Sequence, residues 1–255
     1  MIRWAEPGDP RLARVPGDPL LAAVIEAEAR AGGGGAPGEF WLALEERGQP
    51  AGGICRVGGL VWATVSREEA AGEAADFLRT LGWRWLETDS LLAPLLPGRP
   101  RRYPEMAYRG PLPEETPLCP PSVMEAVRCN VAAGALAPAL LEERYAHLHL
   151  LARRGAARVF LVPGPEEAPA AAATISHLGS RRGVIGYLAA LPERRGRGCG
   201  SAALGAAVRG CLEAGREPVL ACREELAPFY RARGFAEMGE IWAFEREAGE
   251  GPSAL

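Results

Sequence analysis

The chain of 255 residues contains no lysine, so all 29 of its basic residues are arginines. Arginine therefore occupies the exposed basic positions that lysine and arginine usually share, and a single arginine is weak evidence for a binding site. The formal net charge is only -3. This balance argues against a general nucleic-acid-binding protein, which is usually basic.

Long apolar runs and metal-type cysteine spacings are also absent from the sequence. No stretch reaches the length of a transmembrane helix or a signal peptide, so we expect no association with a membrane. The six cysteines form no C-x-x-C pair, and they show no metal-binding spacing with the three histidines. Together with 48% hydrophobic and 24% charged residues, this predicts a globular protein of the reducing cytoplasm with free thiols and no bound metal.

The middle of the chain is rich in proline. Residues 110–121 hold five prolines, which remove backbone donors and favour extended geometry in the residues before them. This composition is typical of a linker, with the boundary near residue 115. We therefore expect an N-terminal domain over residues 1–112 and a C-terminal domain over residues 117–248.

The two halves show the same order of elements. In each, the hydrophobic patterning predicts three strands, a helix and a strand, which suggests a duplicated domain, with an unrelated α/β cap as the alternative. In the first half these elements are strands 40–44, 51–57 and 60–65, helix 67–81 and strand 83–88. In the second half two helices come first, and the predicted ranges are helices 123–131 and 137–153, strands 157–162, 170–177 and 184–191, helix 201–214, strand 218–222, helix 225–233 and one bent or two short strands over 235–244.

A glycine-arginine turn follows the apolar strand 184–191 and leads directly into the next predicted helix. Its glycines are Gly196, Gly198 and Gly200, at alternate positions. Without Cβ atoms, this turn lets backbone N–H groups close on an oxygen-rich ligand, and the helix directs its positive dipole end to the same point. The pattern predicts a phosphate or pyrophosphate site. The matching junction of the first half, residues 66–70, has no glycine and carries two glutamates, so we expect one site per chain.

Two motifs carry a family resemblance. Arg195, Gly198 and Gly200 match the Arg/Gln-x-x-Gly-x-Gly/Ala motif of the GNAT (GCN5-related) N-acetyltransferase superfamily, and residues 230–235 match its Tyr-x-x-x-Gly-Phe ending. One helix and one strand separate the motifs, as in that family. Residues 120–246 therefore resemble a GNAT domain, and the first half resembles a degenerate one by its order of elements.

The resemblance implies an α/β (α+β) fold with a mixed, mostly antiparallel central sheet flanked by helices, in two tandem GNAT-like halves. It also implies acetyl-CoA as the cofactor, with pantetheine bound along the strand and pyrophosphate bound by the turn. Arg223 departs from the asparagine that many relatives carry. The residues that the resemblance places at the cofactor are Ala189, Ala190, Leu191, Arg195, Gly196, Arg197, Gly198, Cys199, Gly200, Ser201, Arg223 and Phe229.

Tyr230 is the catalytic residue that the resemblance implies, as the acid that protonates the leaving thiolate. A phenol with a reference pKa of about 10 suits a thiolate of similar basicity. The general base stays open among His177, Glu240 and deprotonation of the amine through water, because strand 184–191 contains no carboxylate.

The function implied is acetyl-CoA-dependent N-acetyl transfer to a primary amine of a small molecule or peptide. The alternative is a non-catalytic acyl-CoA-binding or sensing module, suggested by the missing carboxylate and the degenerate first half. Dinucleotide binding is disfavoured, because the turn lacks the third glycine of that fingerprint and no acidic ribose-binding residue follows. No nucleic-acid partner is expected, and both a monomer and a homodimer remain open.

Overall fold

The structure is a computed structural model that describes residues 1–32, 38–165 and 168–246. The chain divides into two compact units. The first unit contains Met1–Glu105, Ala221–Ala227 and the described residues from Glu237 onward, and the second contains Met106–Leu220 and Pro228–Ala236. Since the C-terminal segments alternate between units, no single cut separates them, and the expected domains at 1–112 and 117–248 stay a prediction.

The first unit is built on a mostly antiparallel sheet. Its strands run in the order β1-β2-β3-β4-β5-β11, and only β4 and β5 pair in parallel. Its elements are β1 (Ile2–Ala5), α1 (Pro19–Gly32), β2 (Gly38–Leu44), β3 (Pro50–Val57), β4 (Leu60–Val65), α2 (Glu68–Thr80) and β5 (Trp85–Thr88), with most of β11 (Phe235–Glu245) and the first part of β6 (Arg101–Tyr108).

Helices cover both faces of this sheet. Trp41 packs in one core cluster with Ala74 and Leu78 of α2, whereas Phe40 lies against Gly32 at the end of α1. Because successive strand residues point to opposite faces, α1 and α2 lie on opposite sides of the sheet.

The second unit repeats this design. Its strands run in the order β10-β9-β8-β7, again with one parallel pair, β9 with β10. Its elements are α3 (Val123–Ala132), α4 (Leu141–Arg153), β7 (Arg158–Pro163), β8 (Pro169–Leu178), β9 (Arg182–Ala190), α5 (Cys199–Glu213), β10 (Glu217–Ala221) and α6 (Ala227–Arg231).

Adjacent residues of β7 again identify the two faces. Phe160 meets Gly210 of α5, and Leu161 packs with Ala126 and Cys129 of α3, so α5 and α3 cover opposite sides. Ser122 begins α3, where its hydroxyl accepts a hydrogen bond from the N–H of Glu125 at 3.3 Å.

The predicted fold class, a mixed and mostly antiparallel sheet flanked by helices, is confirmed in both units. Three elements carry no prediction from the sequence: β1, α1 and β6. The final segment is one strand, β11, rather than two. Among the described residues, no helix combines the length and the apolarity needed to span a membrane.

Candidate active site

The candidate site of the second unit begins where β9 and β10 separate. The parallel ladder joins them at only three residue pairs, the last of which is Val184 with Val219. Strand β9 then continues to Ala190, and from Ile185 onward the described residues of β10 give it no ladder partner. Over its last six residues, one edge of β9 therefore lacks a strand partner among the described residues, and we call this stretch its open edge.

Two register shifts interrupt the pairing of β9 with β8 in the same stretch. Tyr187 lies in the first of these bulges with φ of 49°, the only non-glycine residue in the described chain with a positive φ. This left-handed conformation costs a residue with a Cβ about 1–2 kcal/mol. Bulges commonly occur beside active sites, where they redirect a strand.

Buried side chains satisfy the carbonyl groups of the bulged stretch. The Thr174 hydroxyl donates to the Gly186 carbonyl at 2.9 Å, and the Ser176 hydroxyl donates to the Val184 carbonyl at 3.2 Å. Asn130 of α3 donates from Nδ2 to the Tyr187 carbonyl at 2.9 Å. A buried carbonyl left without a donor costs about 1–3 kcal/mol, so these contacts hold the irregular strand in place.

The three residues expected along pantetheine lie at the end of β9, which stops at Ala190, and immediately after it. The Leu191 N–H donates to the Ala170 carbonyl of β8 at 3.0 Å, so this amide is already occupied. Ala190 pairs with Ala171 one residue earlier, and N–H groups alternate between the two edges of an antiparallel strand. The Ala190 N–H and C=O therefore face the open edge, whereas those of Ala189 and Leu191 face β8.

The glycine turn has the geometry that its sequence predicts at two of its three glycines. Gly196 has φ of 73° and Gly198 has φ of 84°, both in the region where glycine is favoured. Gly200 is helical, and a Cβ built on it would lie 3.7 Å from the Ala190 Cβ. The glycines therefore shape the turn and bring the start of α5 beside the open edge of β9.

The N-terminus of α5 lacks a side-chain cap. Gly198 occupies the N-cap position, no side chain accepts a hydrogen bond there, and the first turn contains no acidic residue. The first N–H groups of a helix have no partner within the helix and carry its positive dipole end. Groups of this kind bind anions, and here they lie over Cys199, Gly200 and Ser201, so the phosphate site predicted at this position stays a prediction.

The arginines of the turn differ in their surroundings. Arg195 is exposed, but its guanidinium donates to the Ala133 carbonyl at the end of α3 at 2.7 Å, so it ties the turn to that helix. Arg197 is exposed and has no hydrogen bond or ion pair among the described residues. Arg197 is therefore the turn arginine that remains available to a ligand. Cys199 is half-buried with a free thiol.

Tyr230 and Phe229 lie on the short helix α6. Tyr230 is buried, with its ring 5.1 Å from that of Phe229 and 5.8 Å from that of Phe235. The Tyr-x-x-x-Gly-Phe motif thus packs its two aromatic ends together, which fixes the orientation of the tyrosine. Gly234 supports this turn with φ of 86°.

Arg233 joins the two motifs, a role that the sequence did not indicate. Its guanidinium lies 3.7 Å over the Phe229 ring, donates from Nε to the Ser201 hydroxyl at 2.7 Å and from Nη1 to the Phe229 carbonyl at 2.8 Å. Arg233, which follows α6, therefore links the helix that carries Tyr230 to the first turn of α5. Because arginines are so common in this chain, no pattern singled this one out.

The other expected residues have partners of their own. Arg223, in the first unit, is exposed and forms an ion pair with Glu225 at 3.3 Å. Glu240, also in the first unit, pairs with Arg102. His177 is buried on β8, and its Nδ1 lies 3.1 Å from the Ser176 hydroxyl. These contacts give none of the three a defined role in the site, so their roles stay predictions.

The first unit contains a closed counterpart of the open edge. The Ser66 N–H donates to the Ala51 carbonyl, as the Leu191 N–H does to Ala170, which makes Val65 the equivalent of Ala190. The Val65 N–H donates to a carboxylate oxygen of Asp89 at 2.7 Å, and the Thr64 hydroxyl donates to the same oxygen at 2.7 Å. A side chain of the chain itself thus occupies this amide in the first unit.

A family model for the acetyltransferase (GNAT) family matches residues 130–235, which include the bulged strand, the glycine turn and the tyrosine motif. Residues 130–235 are a GNAT acetyltransferase domain. The resemblance carried by the two motifs is thereby confirmed. No curated protein sequence matches the chain.

Solved structures resemble the chain over nearly its whole length. A GNAT-family acetyltransferase from Colwellia psychrerythraea is 12% identical, with a TM-score of 0.54, and the match covers 97% of this chain and all of that one. A tandem GNAT protein from the clavulanic acid biosynthesis pathway is 13% identical, with a TM-score of 0.58 and coverage of 98% and 99%. A Drosophila protein is 12% identical, with a TM-score of 0.63 and coverage of 96% and 98%. At these identities the likeness shows the fold alone, a mixed α/β fold that GNAT acetyltransferases share, among them a tandem GNAT protein.

Proposed function

We propose that the GNAT domain transfers the acetyl group of acetyl-CoA to a primary amine of a small molecule or a peptide. The observation that carries this proposal is the Ala190 amide on the open edge of β9, beside the uncapped start of α5. Family membership supports acyl transfer from acetyl-CoA in general. The acceptor and the catalytic roles are the proposal.

The residues present fit the parts of acetyl-CoA. A pyrophosphate would take the N–H groups of the turn and of the first turn of α5, where neither a side-chain cap nor an acid competes. Pantetheine would lie along the open edge of β9, close to Ala189, Ala190 and Leu191. The exposed Arg197 would bring its positive charge to the phosphates. Arg195 would hold the turn in place through its hydrogen bond to the end of α3.

Two groups would act on the reacting atoms. Bound acetyl-CoA supplies an acetyl group activated as a thioester. The Ala190 N–H would donate a hydrogen bond to the thioester oxygen, which stabilises negative charge as the amine attacks. The Tyr230 hydroxyl would give its proton to the sulfur as the C–S bond breaks and the C–N bond forms. The amine proton would leave to water, since no described carboxylate lies on β9.

Acetyl-CoA should bind with one molecule per chain, because Asp89 occupies the equivalent amide of the first unit. Isothermal titration calorimetry measures this stoichiometry directly. An acceptor screen that follows thiol release from acetyl-CoA then tests transfer. The absence of binding at millimolar acetyl-CoA would refute the proposal, and two equivalent sites per chain would refute the closed state of the first unit.

Acetyl-CoA should also protect Cys199 from alkylation, since this thiol lies at the start of α5. At ten times Kd the free fraction of sites is about one tenth, so the rate with iodoacetamide should fall about tenfold. Burial raises the pKa of the Cys129 thiol to about 11 and that of the Cys211 thiol to about 12, so these two should react slowly throughout.

Half-buried Cys119 is the internal control for this labelling experiment. Its rate should be the same with and without acetyl-CoA, as followed by mass spectrometry of peptides. Equal protection of Cys119 and Cys199 would indicate a general tightening of the protein and would contradict a ligand at the turn.

The alternative, a non-catalytic acyl-CoA-binding module, is favoured by the lack of a carboxylate on β9. It predicts binding without thiol release from any amine. A cytoplasmic location forms part of our proposal, and the six free cysteines support it.

A further inference from the structure

The bulge in β9 places an unfavourable backbone conformation immediately before the proposed site. Tyr187 is half-buried with φ of 49°. Tyrosine has no intrinsic preference for this region, so the surrounding structure must hold it there. Such conformations persist where neighbouring contacts outweigh their cost, and they occur often at functional sites.

Asn130 is the side chain that contacts the Tyr187 carbonyl. It is 2% exposed, and its Nδ2 donates at 2.9 Å both to the Tyr187 carbonyl and to the Ala126 carbonyl one helical turn earlier. The Asn130 backbone carbonyl in turn accepts hydrogen bonds from the N–H groups of Ala135 and Leu136. The Asn130 side chain thus links the bulge to the C-terminal end of α3, which these backbone hydrogen bonds stabilise.

The first unit shows the same strand order without a bulge. The ladder between β3 and β4 runs unbroken from Gly52–Val65 to Val57–Leu60. Strand β4 pairs with β5 over four residues, up to Ala63 with Thr88, and Asp89 then occupies the Val65 amide. The unit with the regular strand is closed, and the unit with the bulged strand is open.

The bulge also determines which amide faces the open edge. Two successive pairs, Thr174 with Gly186 and Ala172 with Ala189, flank the bulge. Between these pairs the β9 chain advances by three residues, whereas the β8 chain advances by only two. Removal of the extra residue would shift the strand by one position, and a one-residue shift exchanges the two edges and faces of a strand. The Ala190 N–H would then point to β8 instead of the open edge.

We propose that Asn130 is a positioning residue for acetyl transfer: by holding the Tyr187 carbonyl, it keeps the bulge that presents the Ala190 N–H to the thioester. This inference rests on the proposed function. It assigns to a helix residue, outside both sequence motifs, control over the hydrogen bond that stabilises the reacting oxygen.

The test compares Asn130→Leu, Tyr187→Gly and the double variant with the wild type. Asn130→Leu keeps the size of the side chain and removes both donors. Loss of one donor to a reacting oxygen lowers kcat by about 100-fold, and we expect that loss with KM for acetyl-CoA changed less than about threefold. Glycine adopts a positive φ without steric cost, so Tyr187→Gly should restore most of the kcat of Asn130→Leu in the double variant.

Thr64→Val is the matched control, because Thr64 is also a fully buried donor but belongs to the closed edge of the first unit. It should lower the melting temperature comparably and leave kcat within about twofold, since the side-chain hydrogen bonds of Thr64 lie within the first unit and residues with no shared partners act independently. If Asn130→Leu does not fold, Tyr187→Gly and the double variant carry the test, and they should have similar kcat.

Hydrogen exchange of the Ala190 amide separates this inference from the proposed function. The amide should exchange rapidly in the wild type and become protected in Asn130→Leu, whether or not an acceptor amine is known. Wild-type kcat in Asn130→Leu, or a joint loss of kcat, KM and stability that Tyr187→Gly does not restore, would overturn the role of Asn130. A wild type that releases no thiol with any amine refutes the proposed function, and the exchange result then decides the role of Asn130 alone.

Discussion

Replacing Tyr230 with phenylalanine should lower kcat for acetyl transfer by about 100-fold while the Kd for acetyl-CoA stays within about twofold. General acid catalysis by a positioned side chain contributes about 10²–10⁴-fold, and this substitution removes only the acidic hydroxyl. The aromatic packing with Phe229 and Phe235 remains, so the helix should stay in place. Thiol-release kinetics and calorimetry on the same preparations measure the two quantities.

Tyr108→Phe is the matched control for this substitution. Tyr108 belongs to the same unit, its ring lies 5.2 Å from that of Phe235, and its hydroxyl donates to the Pro111 carbonyl. Loss of that hydrogen bond should cost about 1 kcal/mol of stability and leave kcat unchanged within about twofold. Equal activity of Tyr230→Phe and wild type would show that Tyr230 is not the acid that protonates the leaving thiolate, and it would favour another proton donor.

Much of the second unit could be predicted from local patterns. The apolar run before the turn predicts residues 184–191 as a strand and residues 201–214 as a helix, and the structure has β9 at Arg182–Ala190 and α5 at Cys199–Glu213. Helix α5 lies between Gly198 and Gly215, both with positive φ, and such glycines are strong local signals.

Two elements of the chain lack such signals. Helix α1 is apolar on nearly all sides, with ten of its fourteen residues buried, so its sequence shows no clear helical period. Strand β6 begins with two arginines and contains Pro104, and proline within a run argues against a strand. In both cases tertiary burial, rather than local preference, decides the structure.

The decisive features of the site lie beyond local patterns for a different reason. Nothing in the sequence marks Tyr187 for a left-handed conformation, because its cost is offset by Asn130 some 57 positions away along the chain. Likewise, the occupied amide of Val65 depends on Asp89, which follows a different strand. Open and closed edges are properties of long-range hydrogen bonds, so the two glutamates after Ser66 indicated a lost phosphate site but not how the edge is closed.

A carboxylate placed at the start of α5 should weaken acetyl-CoA binding without weakening the fold. Gly200→Asp is suitable, because Gly200 is helical and its added Cβ would make an ordinary contact with Ala190 at 3.7 Å. A negative charge in the first turn of a helix stabilises it by about 0.3–1 kcal/mol. The same charge repels a pyrophosphate, at about 4 kcal/mol for unit charges 4 Å apart near a protein surface, so Kd should rise at least tenfold.

Gly200→Asn separates charge from shape, since it has the same size and no charge. Its Kd should lie close to that of the wild type, and the difference from Gly200→Asp should shrink as salt approaches about 1 M, where the screening length falls to about 3 Å. Calorimetry at low and high salt measures the Kd of each variant for acetyl-CoA, and melting curves measure the stability of each variant. In the first unit, the first turn of α2 carries two acidic residues, Glu68 and Glu69. Equal Kd for the two variants at low salt would mean that the pyrophosphate does not lie at this helix end, and the turn would then serve only to pack α5 onto β9.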